Sequence, residues 1–340
     1  MTTRAQDEVR IGNYLSGPLT VGEPDVSGPI AVYPVFGVEP RQQYSSMSRA
    51  RALGFDVKER SGGGSVRDVI VTNATSGAVL IYEGEEVLGG QQNRTFDKSI
   101  LVGPGENLTV PVSCVEAGRW DGSRNDESFR PSPQTADPKL RRLKAQAAHR
   151  ARRAGMEERA DQGQVWSTIS EDQVRLGVRS STGASNQAYE SHRDRLQASA
   201  SAINLREGQV GMVFQVGGRV LTLDLVSRPE VFADLHAPLV QGYCMDAIGS
   251  NSPARVDGTR MADRFLYRVA GNRIFENDGI GLGRGFRFEN SRAVGSGLVA
   301  GEELIQLSVF TNRPDRTEQP AATRPQSTRT RINRPSRRHP

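Results

Sequence analysis

Between residues 66 and 113 the apolar residues come only in short, β-branched runs. They occupy 66–72, 78–83, 98–102 and 107–113, each closed off by Gly, Pro, Asn, Asp or Ser. Runs of this length and composition form strands rather than helices, because β-branched side chains fit a pleated surface and the turn residues stop the chain before a helical stripe can build. Residues 30–38 read as one more strand, the opening one. Residues 44–54 break the rule: Met47, Ala50 and Leu53 fall at helical spacing and Gly54 follows as a stop, so one short helix is expected there. Residues 29–122 therefore read as a β-rich module with one helical insertion, preceded by a polar, Gly- and Pro-containing N-terminus over 1–28 that is expected to be flexible.

The pattern then changes. Residues 122–138 are polar and hold three prolines, an irregular crossing. Asp137-Pro138 supplies an N-cap and a first-turn proline for a helix that reaches Ala154, with Gly155 as its stop. Two more helices are expected over about 164–176 and 186–202. From residue 209 strands return: 211–216 and 219–226 are joined by Gly217-Gly218, a hairpin signal. Pro229 opens a helix expected to break at Pro238, and 260–275 reads as another helix. Runs at 285–289, 297–299 and 303–311 close the pattern. The expectation is an α+β fold with an N-terminal β-rich module, central helices and C-terminal antiparallel strands with helices. Residues 123–312 are expected to pack with the first module as one unit.

The formal charge of +5 is unevenly placed. Residues 311–340 hold eight arginines against Asp315 and Glu318, a net +6 that leaves −1 for the rest of the chain. The folded body is thus no general polyanion binder. The Arg-rich tail over 313–340 reads as disordered, and weak nucleic-acid or acidic-surface contact is assigned to it alone. The first residues lack the apolar core of a secretory signal, and no apolar run is long enough to cross a bilayer, so a cytoplasmic protein without a membrane partner is expected. The two cysteines, Cys114 and Cys244, offer no disulfide framework.

The densest polar chemistry lies in two stretches. Glu83-Gly84-Glu85-Glu86 leads into Gly89-Gly90-Gln91-Gln92-Asn93-Arg94, and Cys114-Val115-Glu116-Ala117-Gly118-Arg119-Trp120 follows. Glycines, amides and a guanidinium in one loop can set N–H groups against an anion. Carboxylates at Glu85, Glu86 and Glu116 suit a general base, or the orientation of a hydroxyl, water or hard cation. Trp120 beside Arg119 offers a stacking face next to a charge-recognising fork. The same residue types also make ordinary hairpin turns tied by an Arg–Glu pair.

Other signals carry less. Cys114 ends an alternating strand with Val110 and Val112 and reads as a small core residue rather than a nucleophile. The helix over 139–153 is basic without aromatics, which suggests a solvated face or one answering Glu157, Glu158 and Asp161. The alternating glycines Gly279, Gly281, Gly283 and Gly285 precede a strand rather than a helix, so they read as a mobile loop and not a dinucleotide fingerprint. No two histidines or cysteines stand at metal-ligand spacing, and neither a Gly-x-Ser-x-Gly elbow nor a Walker loop occurs. No metal site is assigned and no cofactor is identified.

The strings from Glu83 to Arg94 and from Pro111 to Trp120 resemble the signature of a bacterial and archaeal family named for its association with ADP-ribosylglycohydrolases and rhodanese-phosphatases. The resemblance covers most of the chain before the tail. It implies importance for Gln92, Arg94, Glu116, Arg119 and Trp120 and an association with NAD or ADP-ribose metabolism, without a catalytic assignment. Taken with the residue chemistry, the expectation is binding, with processing left open, of an anionic small molecule such as a nucleotide or ADP-ribose derivative. Gln92, Asn93, Arg94, Arg119 and Trp120 would hold it, and Glu85, Glu86 and Glu116 are the catalytic candidates. The alternative is a noncatalytic protein-interaction module with a basic tail, in which Gln92 and Glu116 pair internally.

Overall fold

The computed structural model describes residues 9–38, 40–60, 65–124 and 127–312; the basic tail over 313–340 lies outside them. The fold is α+β. Its largest element is a nine-stranded antiparallel sheet. In spatial order it runs Thr20–Val21, Ile30–Phe36, Gln209–Val216, Arg219–Val226, Glu303–Thr311, Ala293–Ala300, Arg284–Glu289 and Phe275–Asp278, with Asp25–Ser27 also paired to Ile30–Phe36. The hairpin at Gly217-Gly218 forms as its glycines require, both at positive φ.

The first long strand does not belong with the β-rich module that follows it in sequence. Ile30–Phe36 sits inside the large sheet against Gln209–Val216, and residues before it, expected to be flexible, supply two further short strands there. Its composition explains the placement: Ile30 and Val32 bury into one core while Ala31, Tyr33 and Val35 bury into another on the opposite face. A strand apolar on both faces needs cover on both faces. The helix Pro229–Ala247 covers one, and Arg260–Ala270 the other through Ala262, Leu266 and Val269.

Helix Pro229–Ala247 runs through Pro238 without the expected break. An interior proline costs about 3 kcal/mol, but Leu235, Leu239, Val240 and Tyr243 on both sides of it are buried in the same core, and burying even two such side chains offsets that cost.

The remaining strands form a six-stranded sheet, ordered Arg130–Thr135, Glu85–Leu88, Arg94–Phe96, Asn107–Cys114, Asp68–Asn73 and Phe55–Glu59. A three-stranded sheet, Ile100–Val102, Ala78–Ile81 and Tyr44–Ser46, stands beside it. They share an apolar core that includes Phe55, Val57, Val69, Val71, Phe96 and Val112.

Helix Pro138–Arg153 joins the two halves. Asp137 caps it by accepting the Leu140 N–H at 2.9 Å. Its basic face is not solvated throughout. Arg141 is buried in a bidentate pair with Asp224, with Nη1 at 3.0 Å and Nη2 at 2.6 Å. Lys144 is buried with Asp97 at 3.1 Å and also donates to the Phe96 carbonyl. Farther along, Arg152 does meet Glu158, at 3.4 Å. Two of the cations that look like a surface stripe, Arg141 and Lys144, are therefore buried ties of this helix to the large sheet and to the smaller ones, while Arg150 and Arg153 are exposed.

The glycine-rich segment before Arg284–Glu289 is likewise docked rather than loose. Leu282 donates its N–H to the Leu101 carbonyl at 2.7 Å. Gly281, at φ 79°, lies so close that a Cβ would stand 2.4 Å from that same oxygen, which leaves glycine as the residue that fits.

Candidate functional site

The two signature stretches meet. The turn at Gly89-Gly90 brings Gln92, Asn93 and Arg94 against the loop that leaves strand Asn107–Cys114, and that loop carries Glu116, Arg119 and Trp120. Gly90 lets the same turn lie close against Phe129 and Glu59: at φ 51° its Cβ would lie 2.5 Å from the Phe129 ring and 2.8 Å from Glu59.

Arg119 acts as the rivet between the loops. Its Nη1 donates to the Gly90 carbonyl at 2.7 Å, and its Nη2 donates to the Gly89 carbonyl, to Asn93 Oδ1 at 3.2 Å and to Glu116 Oε2 at 2.6 Å. Glu116 in turn accepts from the Asn93 N–H at 3.2 Å and from the Thr182 hydroxyl at 2.9 Å. Burial alone would raise the Glu116 pKa, but the hydrogen bonds from Arg119, Thr182 and Asn93 together hold it below the usual carboxylate range. Gln92 donates to the Glu116 carbonyl at 2.9 Å and accepts from Arg94 Nη1 at 3.2 Å.

Arg94 is fully buried and pairs with Glu59, whose side chain is equally buried, at 3.3 Å. It also donates to the Ser65 carbonyl. Burial pulls Arg94 below the usual guanidinium range and pushes Glu59 above the usual carboxylate range, each against the attraction of the other. Trp120 lies over this pair, its ring centroid 6.0 Å from the guanidinium carbon, and remains 49% exposed.

The acidic run does not join the cluster. Glu85 accepts the Tyr82 N–H at 2.7 Å, and burial pushes its pKa up to about 8. Glu86, one strand position on, meets Gln134 at 3.4 Å; burial and then the charge of Asp137 push it up to about 8 as well. Glu83 turns toward the large sheet and accepts from the Ser296 hydroxyl. Of the catalytic candidates, only Glu116 shares a site with Arg94 and Arg119, and both of its oxygens are engaged. Among the described residues, no group of three or more His, Cys, Asp or Glu side chains is placed to hold a metal ion.

Cys114 is buried beside the cluster, and burial pushes its thiol up despite Arg94. Cys244 is buried too, pushed up to about 12. Native protein is therefore expected to release no thiol to a colorimetric disulfide reagent on a timescale of minutes at pH 8, and two thiols once denatured. Prompt labelling of Cys114 in the folded state would contradict this placement.

Sequence reasoning missed Glu59, Thr182 and Asn186, which bonds Asn93 at 3.3 Å. Glu59 leaves a signal: Phe55, Val57 and Glu59 alternate on the inward face of one strand, and a carboxylate at an inward position needs a cation. Thr182 comes from the Ser- and Gly-rich segment between two helices and Asn186 opens the second of them; no local pattern marks either.

Fold and site together define an α+β chain organised around an internally paired two-loop cluster with one exposed indole. A family model described as the ARG and Rhodanese-Phosphatase-superfamily-associated Protein domain, ARPP-1, matches residues 18–310, and the chain belongs to that family. Among curated proteins and among solved structures no match to the chain is found. No helix among the described residues is long and apolar enough to cross a membrane.

Proposed function

We propose that the signature cluster recognises an anionic, nucleotide-like small molecule, of the ADP-ribose class, by binding and not by bond chemistry within the cluster. The observation that carries this reading is the contrast between Trp120 and its neighbours. The indole is half-exposed above a buried guanidinium, while Glu116, Gln92, Arg94 and Cys114 are committed to partners inside the protein. A base stacks on the open indole face, and the 19%-exposed Arg119 side chain beside it favours negative charge without being free to swing. Glu116, held ionised by hydrogen bonds from Arg119, Thr182 and Asn93, is a poor proton acceptor. The family's association with ADP-ribosylglycohydrolases fits a ligand of this class.

Thermal-shift measurements with AMP, ADP-ribose, NAD and inorganic phosphate test it. The wild type is expected to gain stability with at least one adenine nucleotide, by about 2.7 kcal/mol at a hundredfold excess over Kd, and Trp120→Ala is expected to lose that gain while melting near the wild-type temperature without ligand. A gain that survives in Trp120→Ala, or none with any nucleotide, contradicts the reading. The second reading, a protein-interaction surface, is favoured by the internal pairing of Gln92 with the Glu116 backbone, and it predicts that no nucleotide stabilises the chain.

A further inference from the structure

Exposed arginines of the folded body stand where the Arg-rich tail begins. Helix Pro138–Arg153 turns Arg142, Gln146, Arg150 and Arg153 to one side, at the spacing that stacks side chains along a helix. The chain leaves the fold along the first half of that row. Arg142 Nη1 reaches the Thr311 carbonyl at 3.5 Å, and Gln146 Nε2 donates to Asn312 Oδ1 at 3.1 Å. Arg150 and Arg153 continue the row in the open, and residue 313 follows directly on Asn312.

Two further elements border the row. On one side Asn312 donates its N–H to the carbonyl of Arg292, an exposed residue, at 2.8 Å. At the far end Arg152 donates to the carbonyls of Phe275 and Glu276 at 3.2 and 3.0 Å, which sets the last turn of the helix against the edge strand Phe275–Asp278. Ile274 is buried in the core beneath that edge, so strand alternation turns Phe275 outward, and its ring is 63% exposed.

The acids at hand are already engaged. Glu289 meets His149 at 3.6 Å, and Glu158 lies between Arg152 and Arg287 at 3.4 and 2.8 Å. Arg150, Arg153 and Arg292 pair with no carboxylate among the described residues. The near-zero net charge of the body therefore hides a local excess of positive charge. An open aromatic ring beside unpaired guanidiniums, next to a tail with eight arginines, fits a polyanion that also presents flat apolar faces. A duplex keeps its base faces stacked inside, and an acidic protein has no base to lay on the ring; an unpaired strand has both phosphates and free bases. We propose that this face, together with the tail, binds single-stranded nucleic acid, with phosphates on Arg150, Arg153 and Arg292 and a base stacked on Phe275.

Fluorescence anisotropy of a short dye-labelled oligouridylate with the full chain tests this. The wild type is expected to bind with an affinity that falls as salt rises. A full-length variant carrying Arg150→Gln and Arg153→Gln loses two phosphate contacts, which should weaken binding by roughly tenfold or more at about 0.1 M salt. The same variant should lower the slope of log affinity against log salt by about 1.4. Phe275→Ala should weaken binding about fivefold or more and leave that slope unchanged. All three positions are exposed, so both variants should melt near the wild-type temperature, and both keep the tail. Wild-type affinity in both variants places the strand on the tail alone and overturns the proposal. Tighter binding of a duplex of the same length, or of polyglutamate of the same charge, overturns it as well. So does an affinity lost in Trp120→Ala but kept in these variants, which would move the strand to the signature cluster and thereby separates failure here from failure of the nucleotide reading.

Discussion

Replacing Arg141 with methionine is expected to destabilise the protein by about 3–5 kcal/mol, the usual cost of leaving a buried charge without its partner. Arg141 and Asp224 are both essentially inaccessible, and the carboxylate also accepts from the Tyr82 hydroxyl at 2.5 Å and from Tyr243. Burial would raise the Asp224 pKa, yet Arg141, Tyr243 and Tyr82 hold it below the usual carboxylate range. Arg141 lies over the rings of Tyr82 and Phe310, with its guanidinium 5.3 and 5.1 Å from their centroids. One side chain of the linking helix thereby fixes residues of the smaller sheets to strands of the large one. Urea unfolding of Arg141→Met, of Asp224→Asn and of the pair together measures this. The double variant should recover part of the loss, because it removes the lone charge that each single variant creates. Independent, additive losses would contradict the arrangement.

The second large effect has the opposite sign. Glu86→Gln is expected to stabilise the protein at pH 8 by roughly 2–4 kcal/mol while leaving it near wild type at pH 4.5. A buried carboxyl whose folded pKa is raised to about 8 contributes stability that is complete below its unfolded pKa. That contribution is lost as pH rises through about 8, at up to ~1.4 kcal/mol per pH unit. Glutamine keeps the contact with Gln134 and never ionises. Glu85, also raised to about 8, gives the wild type the same trend, so the single variant should flatten the alkaline loss without abolishing it. Asp224 and Glu116, held low, act in the other direction and lose their contribution as pH falls. Urea midpoints of wild type and variant at pH 4.5, 6 and 8 decide the matter, and parallel curves would refute it.

How much of this was legible beforehand depended on whether the deciding interaction was local. Asp137 and Pro138 announced their helix because a cap is made within one turn, and Gly217-Gly218 announced its hairpin for the same reason. The strand Ile30–Phe36 was recognised, but its place in the large sheet depended on strands nearly two hundred positions away. Pro238 misled because tertiary burial on both sides outweighed one lost hydrogen bond. The basic helix misled because Arg141 and Lys144 look the same in sequence whether they face water or Asp224 and Asp97. In the site, the joining of Gln92, Asn93 and Arg94 with Glu116, Arg119 and Trp120 followed from residue types in two neighbouring stretches. That Arg119 spends its Nη donors on Gly89, Gly90, Asn93 and Glu116 did not, since a guanidinium that binds a ligand and one that rivets two loops carry the same letter.

The chain has two tryptophans, Trp120 and Trp166, so an indole-selective 15N spectrum of the full protein contains two side-chain signals and reads the signature surface without interference. On titration with ADP-ribose the account predicts that the exposed Trp120 signal moves saturably while Trp166, whose Nε1 is buried, stays in place. A Trp120 signal that does not move at saturating nucleotide would contradict it.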